Sequence, residues 1–396
     1  MTRKLKNKGL GSICVGFSIL SSASTAYAVN ESANDPYPEM SRLEDVMETQ
    51  SRSTTLASHR LLNDVAKLGE RIVAVGERGH IIYSDDEGKT WNQGEVPVSV
   101  TLTGVDFGTA SNGWAVGHSG VILHSEDAGE TWAIQFTGIQ ALQLALETKE
   151  NQIAAIKERI ATAPESEKKD LEWALDDLLF AMENIRSDLE IGPVNPLLDV
   201  WFENENHGFV VGAYGMILRT TDGGETWQDW GPRIDNPMNF HLNGVEEIEG
   251  GALLVVGEAG QIHVSEDGGQ TWEPRESPYE GSLFGVTGTG RVNEILTFGL
   301  RGNMLFSSDL GKSWKVVSST ADATLNDGIV IEDGRIIVVG NGGAILTSGS
   351  SSDSFRDYYR EDREGVMSIV PVSDTRLLIV GEGGATLTDA RGKNLQ

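Results

Sequence analysis

From residue 61 onward the chain is written in short apolar runs separated by glycine-rich polar turns. Residues 102–136 show the pattern in full: "LTGVDF", "GWAVG", "GVILHS" and "TWAIQF" are four brief runs bounded by Gly, Asp, Ser or Asn. Runs of that length between turn residues predict strands, not helices. The set then recurs. A segment with a fixed pair of glycines reads "VGERGHIIY", "VGHSGVILH", "VGAYGMILR", "VGEAGQIHV", "FGLRGNMLF", "VGNGGAILT" and "VGEGGATLT", its first glycine at Gly76, Gly117, Gly212, Gly257, Gly299, Gly340 and Gly381. The spacings are 41, 95, 45, 42, 41 and 41 residues. Four short strands in such a repeat are a propeller blade, so residues 61–396 are expected to form an all-β, seven-bladed β-propeller.

The seventh unit stops near its third strand, at "ATLTDA". A ring closed there needs a strand from elsewhere, or two edges stay unpaired. The N-terminal segment 29–60, and within it "METQSRSTTLASH", is the available candidate and is expected to complete blade 7.

The interval of 95 residues holds a different period. Ile139, Leu142, Leu146, Ile153, Ile156 and Ile160 follow three-four spacing, and after Pro164 so do Leu171, Leu175, Leu178, Met182, Ile185 and Leu189. Such heptads predict two helices pairing as an antiparallel hairpin over residues 137–197. At about 25 residues each the helices would be near 37 Å long. The insertion follows the outer strand of blade 2 and precedes the inner strand of blade 3. It should therefore rise on the face that carries the turns between second and third strands, either as decoration or as a grip on a partner.

Charge changes the picture at the N-terminus. Arg3, Lys4, Lys6 and Lys8 precede an apolar stretch from Gly9 to Leu20 and a small-x-small sequence, Ala26-Tyr27-Ala28. This is the layout of a cleavable secretory signal over residues 1–28, cut after Ala28, and it places the mature protein in the periplasm or outside the cell. The single cysteine, Cys14, would leave with it, so disulfides have no part in the expected fold. Cleavage would take the net charge from −28 to −32. Nucleic-acid phosphates and anionic lipid headgroups would repel such a surface. No later stretch is long and apolar enough to span a bilayer.

Five copies of one acidic motif recur within the repeat: "SDDEGKTW", "SEDAGETW", "TTDGGETW", "SEDGGQTW" and "SSDLGKSW". Their fixed positions are Asp86, Asp127, Asp222, Asp267 and Asp309, with Trp91, Trp132, Trp227, Trp272 and Trp314 closing each. Five catalytic acids spread round one ring make no chemical sense. Asp accepts backbone amides across a tight turn, Gly supplies positive φ, and Trp packs beneath, so the motif reads as structural. The positions expected to line the opposite face are Glu77, Arg78, His118, Tyr214, Glu258, Arg301, Asn341 and Glu382. The histidines are scattered and show no metal-ligand spacing. No cofactor or metal is expected.

The motif resembles the Asp box, or BNR repeat, of sialidases and of many non-enzymatic propellers. That resemblance puts the turn between the third and fourth strands, away from the usual ligand face. Sialidases need an arginine cluster, a Tyr-Glu nucleophile pair and an acid/base Asp. Among the face positions only Arg78 and Arg301 are arginines, while Glu77, Glu258 and Glu382 keep a different extracytoplasmic glycosidase, or a carbohydrate binder, as the alternative. With seven units of this style, and "VVGAYGMILRTTDGGETW" (210–227) as the best-matching stretch, the chain is similar to the photosystem II stability/assembly factor family. The resemblance implies a non-catalytic protein-binding role in the assembly of a membrane complex. In non-photosynthetic bacteria it points to an envelope complex such as an RND-type exporter. The insertion, the acidity and the lack of an arginine-rich patch depart from photosynthetic members.

Overall fold

The computed structural model describes residues 45–192, 195–317, 319–349 and 352–395. The proposed signal sequence lies outside the described residues. Seven antiparallel sheets follow one another along the chain, six with four strands and the last with three. Their inner strands are Leu62–Leu68, Leu102–Phe107, Leu197–Phe202, Leu242–Ile248, Leu283–Gly288, Leu325–Val330 and Val366–Ser373. Each inner strand packs against the next, and the seventh packs against the first, which closes the ring.

The second strands are buried along their length, because both faces of each sheet meet a neighbouring blade. The buried apolar side chains accordingly sort into seven clusters, one at each blade–blade interface. At the interface of blades 2 and 3, Trp114 stacks on Phe202 with ring centroids 3.5 Å apart. The glycine that ends each second strand is dictated by close approach, not by its φ. A Cβ on Gly76 would lie 2.1 Å from the Leu61 carbonyl oxygen, and on Gly257 it would lie 2.2 Å from that of His241.

The long interval folds as the heptads predict. Helix α1 (Gly138–Thr162) and helix α2 (Glu165–Ile191) pack along each other. Thr137 and Gln140 form a reciprocal capping box at the start of α1. That first turn sits against the blade 2 turn His118–Gly120, where a Cβ on Gly120 would come within 2.7 Å of the Gly138 Cα.

Blade 7 differs from the expectation. Among the described residues no N-terminal strand joins its three strands. Ala57–His59 instead forms a 3-10 turn against the strand Gly384–Thr388. The residues before it spend their backbone groups on blade 1, with Ser51 N–H donating to the Val96 carbonyl and Ser99 N–H to that of Val46. The open edge of blade 7 is met by the chain's other end, where Leu395 N–H donates to the Leu387 carbonyl at 2.9 Å.

Candidate functional site

Six of the seven turns between second and third strands are single 3-10 turns: Glu77–Gly79, His118–Gly120, Ala213–Gly215, Glu258–Gly260, Leu300–Gly302 and Asn341–Gly343. Each is pinned by its first amide to the residue just before the inner strand of its own blade. Thus Glu77 donates to the Leu61 carbonyl, Ala213 to Pro196, Glu258 to His241 and Leu300 to Ser282. The seventh blade repeats the bond, from Glu382 to Gly365. This pinning gathers all the turns at one mouth of the ring, and α1 begins there too.

The middle residue of each 3-10 turn lies in the left-handed region, at Arg78, Ser119, Tyr214, Ala259, Arg301 and Gly342. Non-glycine residues at positive φ cost about 1 kcal/mol or more each, and such strain clusters at functional sites. Arg78, His118, Tyr214, Arg301, Asn341 and Glu382 are exposed at the mouth. Two of the three glutamates have local duties. The Glu258 carboxylate accepts the His241 amide at 3.2 Å, and that of Glu382 accepts the Gly365 amide at 2.7 Å. The Asn341 side-chain oxygen accepts from Asn326 at 2.9 Å.

Sequence reading missed His241, which precedes an inner strand and carries no motif. Its ring lies 4.9 Å from that of Tyr214 and its Nδ1 accepts the Tyr214 amide at 3.3 Å. The same Nδ1 is 3.4 Å from the Glu258 carboxylate. Exposed Met238 comes from the same connection, which gives blades 3 and 4 an aromatic and apolar sector at the mouth.

The Asp boxes occupy the other ends of the strands. In blade 3, Asp222 accepts from the Thr226 amide at 2.9 Å, from Thr226 Oγ1 at 2.6 Å and from Thr220 Oγ1 at 2.8 Å. The other four repeat this set. These bonds, led by those from Thr226, hold the Asp222 carboxyl below its usual range. Two successive residues carry positive φ, so Glu87, Ala128 and Leu310 share the strain with the glycines that follow them. Trp91 and Trp132 each donate their indole N–H back to the box glycine carbonyl. These carboxylate and indole bonds stay within their own turns, while Gln135 and Arg275 donate from outside to the Gly223 and Leu310 carbonyls.

A cavity of about 660 Å³ lies among the inner strands. Asp64, Asp106, Asp199, Glu246 and Asp327 line it, a ring of acids that the repeat analysis did not single out. Four of them are latches between blades. Asp64 accepts the Val105 amide, Asp106 that of Phe202, Asp199 that of Val245 and Asp327 that of Ile369, at 2.7–3.0 Å. Asn63, Asn243 and Asn326 add donated bonds to the next blade's carbonyls. Burial pushes Asp106 and Asp327 up to about 6 and Asp199, also facing the charge of Asp64, up to about 8. Glu246, open to the cavity, is raised by desolvation and by the neighbouring acids.

A family model described as "Photosynthesis system II assembly factor YCF48" matches residues 182–395, and a BNR/Asp-box repeat model matches residues 82–93. The photosystem II assembly lipoprotein Ycf48 of Prochlorococcus marinus is 41% identical over 59 residues, which is 15% of this chain and 17% of that protein's own length. Two solved structures share the fold. One, described as YCF48 bound to D1 peptide, superposes with TM-score 0.58 at 16% identity, covering 84% of this chain and 93% of that one. YCF48 from Cyanidioschyzon merolae gives TM-score 0.56 at 15% identity, with 86% and 98% covered. No helix among the described residues is long and apolar enough to cross a membrane.

Proposed function

The chain belongs to the photosynthesis system II assembly factor YCF48 family, and from that premise we propose that it is a non-catalytic propeller whose mouth holds a protein client during assembly of a larger complex. The observation that carries the reading is the set of turns pinned round one mouth, with Arg78, Tyr214 and Arg301 presented from strained backbone. A related propeller described as bound to a peptide supports a peptide-sized client. The finer proposal takes the client to be part of a membrane complex of the cell envelope, with an RND-type exporter the first to test. It also takes residues 1–28 to be an export signal. The lipoprotein description of the relatives supports a life outside the cytoplasm. The cavity acids do not favour hydrolysis, since four of them are committed to amides of the next blade.

The test is site-specific photocrosslinking from position 238, exposed in the same sector of the mouth, in intact envelopes, with the mouth otherwise native or carrying the triple substitution Arg78→Glu, Tyr214→Ala, Arg301→Glu. The expected result is a crosslink to one subunit of a membrane complex, lost in the triple variant at unchanged melting temperature, with the complex stalling in assembly. Turnover of a glycan by the wild type, abolished by Glu77→Gln, would overturn the proposal.

A further inference from the structure

The hairpin's charge is unevenly divided. Helix α1 carries three acidic and three basic residues, whereas α2 carries nine acidic and three basic. It is α1 that meets the propeller, at His118–Gly120 and at the strand Gln228–Asp229. On α2 the heptad side chains Leu171, Leu175, Leu178, Met182, Ile185 and Leu189 are buried or half-buried. Other large apolar side chains stand out from the same helix: Trp173 is 57% exposed, Phe180 71% and Ile191 74%. Spacings of 7 and 11 residues bring these three to one helix face, because both are close to whole numbers of turns. Asp176 and Asp177 lie between Trp173 and Phe180 on that face, and the Lys169 ammonium sits 4.7 Å above the Trp173 ring.

Exposed aromatics on a helix mark an interaction surface, and the surrounding charge selects its occupant. A second copy of α2 would bring nine further acids against these nine, and an anionic bilayer would repel them equally. A cation is attracted to both elements of the face, the ring quadrupole and the carboxylates, as Lys169 already shows within the chain.

We propose that the outer face of α2 docks a basic amphipathic helix of a protein partner, with Trp173 and Phe180 as anchors and Asp176 and Asp177 as the charges between them. The two rings are about 10 Å apart along the axis, so they match apolar side chains one heptad apart on the partner. This surface is separate from the ring mouth, and its failure would leave the mouth assignment standing.

The probe is a fluorescein-labelled amphipathic peptide of leucine and lysine, titrated with the full chain and read by anisotropy. Binding should weaken as salt rises. Trp173→Ala with Phe180→Ala, which leaves the charge unchanged, should weaken it about tenfold or more, as expected for aromatic anchors. Asp176→Asn with Asp177→Asn should weaken it and flatten the salt dependence. Glu167→Gln with Glu190→Gln, the same charge loss off this face, should do so less. All the substituted side chains are exposed, and circular dichroism melting checks that each variant folds. Four results would overturn the proposal: equal binding by the double-alanine variant, equal losses in the two charge variants, a wild-type dimer that the double-alanine variant dissolves, or Trp173-dependent uptake onto phosphatidylglycerol vesicles.

Discussion

Replacing Asp222 by alanine removes an acceptor that three donors share: the Thr226 amide, Thr226 Oγ1 and Thr220 Oγ1. A typical hydrogen bond contributes about 1 kcal/mol net, and somewhat more when the acceptor is charged. The turn is half-exposed, so water can re-satisfy the freed donors, and the loss should be about 2 kcal/mol, not the sum of three buried bonds. Unfolding entropy scales with size, and for a propeller of this length it is roughly 0.7 kcal/mol per kelvin, which makes the shift in melting temperature about 3 °C. The carboxyl's folded pKa lies below its unfolded value. Its contribution is therefore present above the unfolded value, about 3.9, and is lost as pH falls through the folded one. Differential scanning calorimetry of wild type and variant should show the gap at neutral pH and its shrinkage in acid. Asp222→Asn should lose less, since one oxygen remains. Client capture should be untouched, because the box lies at the strand ends away from the mouth. Lost capture at an unchanged melting temperature would refute the assignment of the motif as structural.

Gly257→Ala should abolish or severely reduce soluble folded protein, since its Cβ would sit 2.2 Å from the His241 carbonyl oxygen; size-exclusion yield reads this directly. Ala128→Gly should raise the melting temperature slightly, because relief of a left-handed alanine, about 1–2 kcal/mol, exceeds the added chain entropy of glycine. Asp199 has a folded pKa of about 8, so the folded state keeps a proton that the unfolded chain releases from about pH 4 upward. Stability should therefore fall as pH rises from about 4 to 8, by at most about 1.4 kcal/mol per pH unit for one proton, and melting temperatures across that range should be flatter in Asp199→Asn.

The repeat, the Asp boxes and the heptads of the hairpin were legible because each rests on local chemistry repeated at a fixed period. Asp86, Asp127, Asp222, Asp267 and Asp309 could be judged structural from their number alone. The cavity acids were not legible in that way. Asp64, Asp199 and Asp327 occupy a place in the inner strand where Gly104, Gly244 and Gly285 stand in other blades, so no repeating motif marks them. Their pKa values are raised first by burial, and that burial is created by inner strands forty or more residues apart in sequence. The strand expected from residues 47–59 failed for a related reason. The open edge was real, but backbone bonds to blade 1 claimed that segment, and the chain's other end met the edge. His241 was invisible because its role depends on Tyr214 and Glu258, one in the preceding blade and the other beyond the following strand pair.

Among the described residues, the seam between blades 7 and 1 contains no strand shared by the two ends of the chain. Ala57, Leu62, Val65, Ile72 and Ile82 meet Val370, Val372, Leu378 and Val380 there, and Arg376 reaches Glu87 at 2.7 Å. The bond from Lys67 to the Val372 carbonyl spans 305 residues of sequence. Contacts of such separation form last, because loop closure must precede them. During synthesis, blade 1 therefore emerges with its half of this interface bare and keeps it so until the seventh blade arrives. That waiting interval is when this protein is most open to proteolysis and to pairing with a neighbour, and a holding chaperone would act on the unfinished ring then.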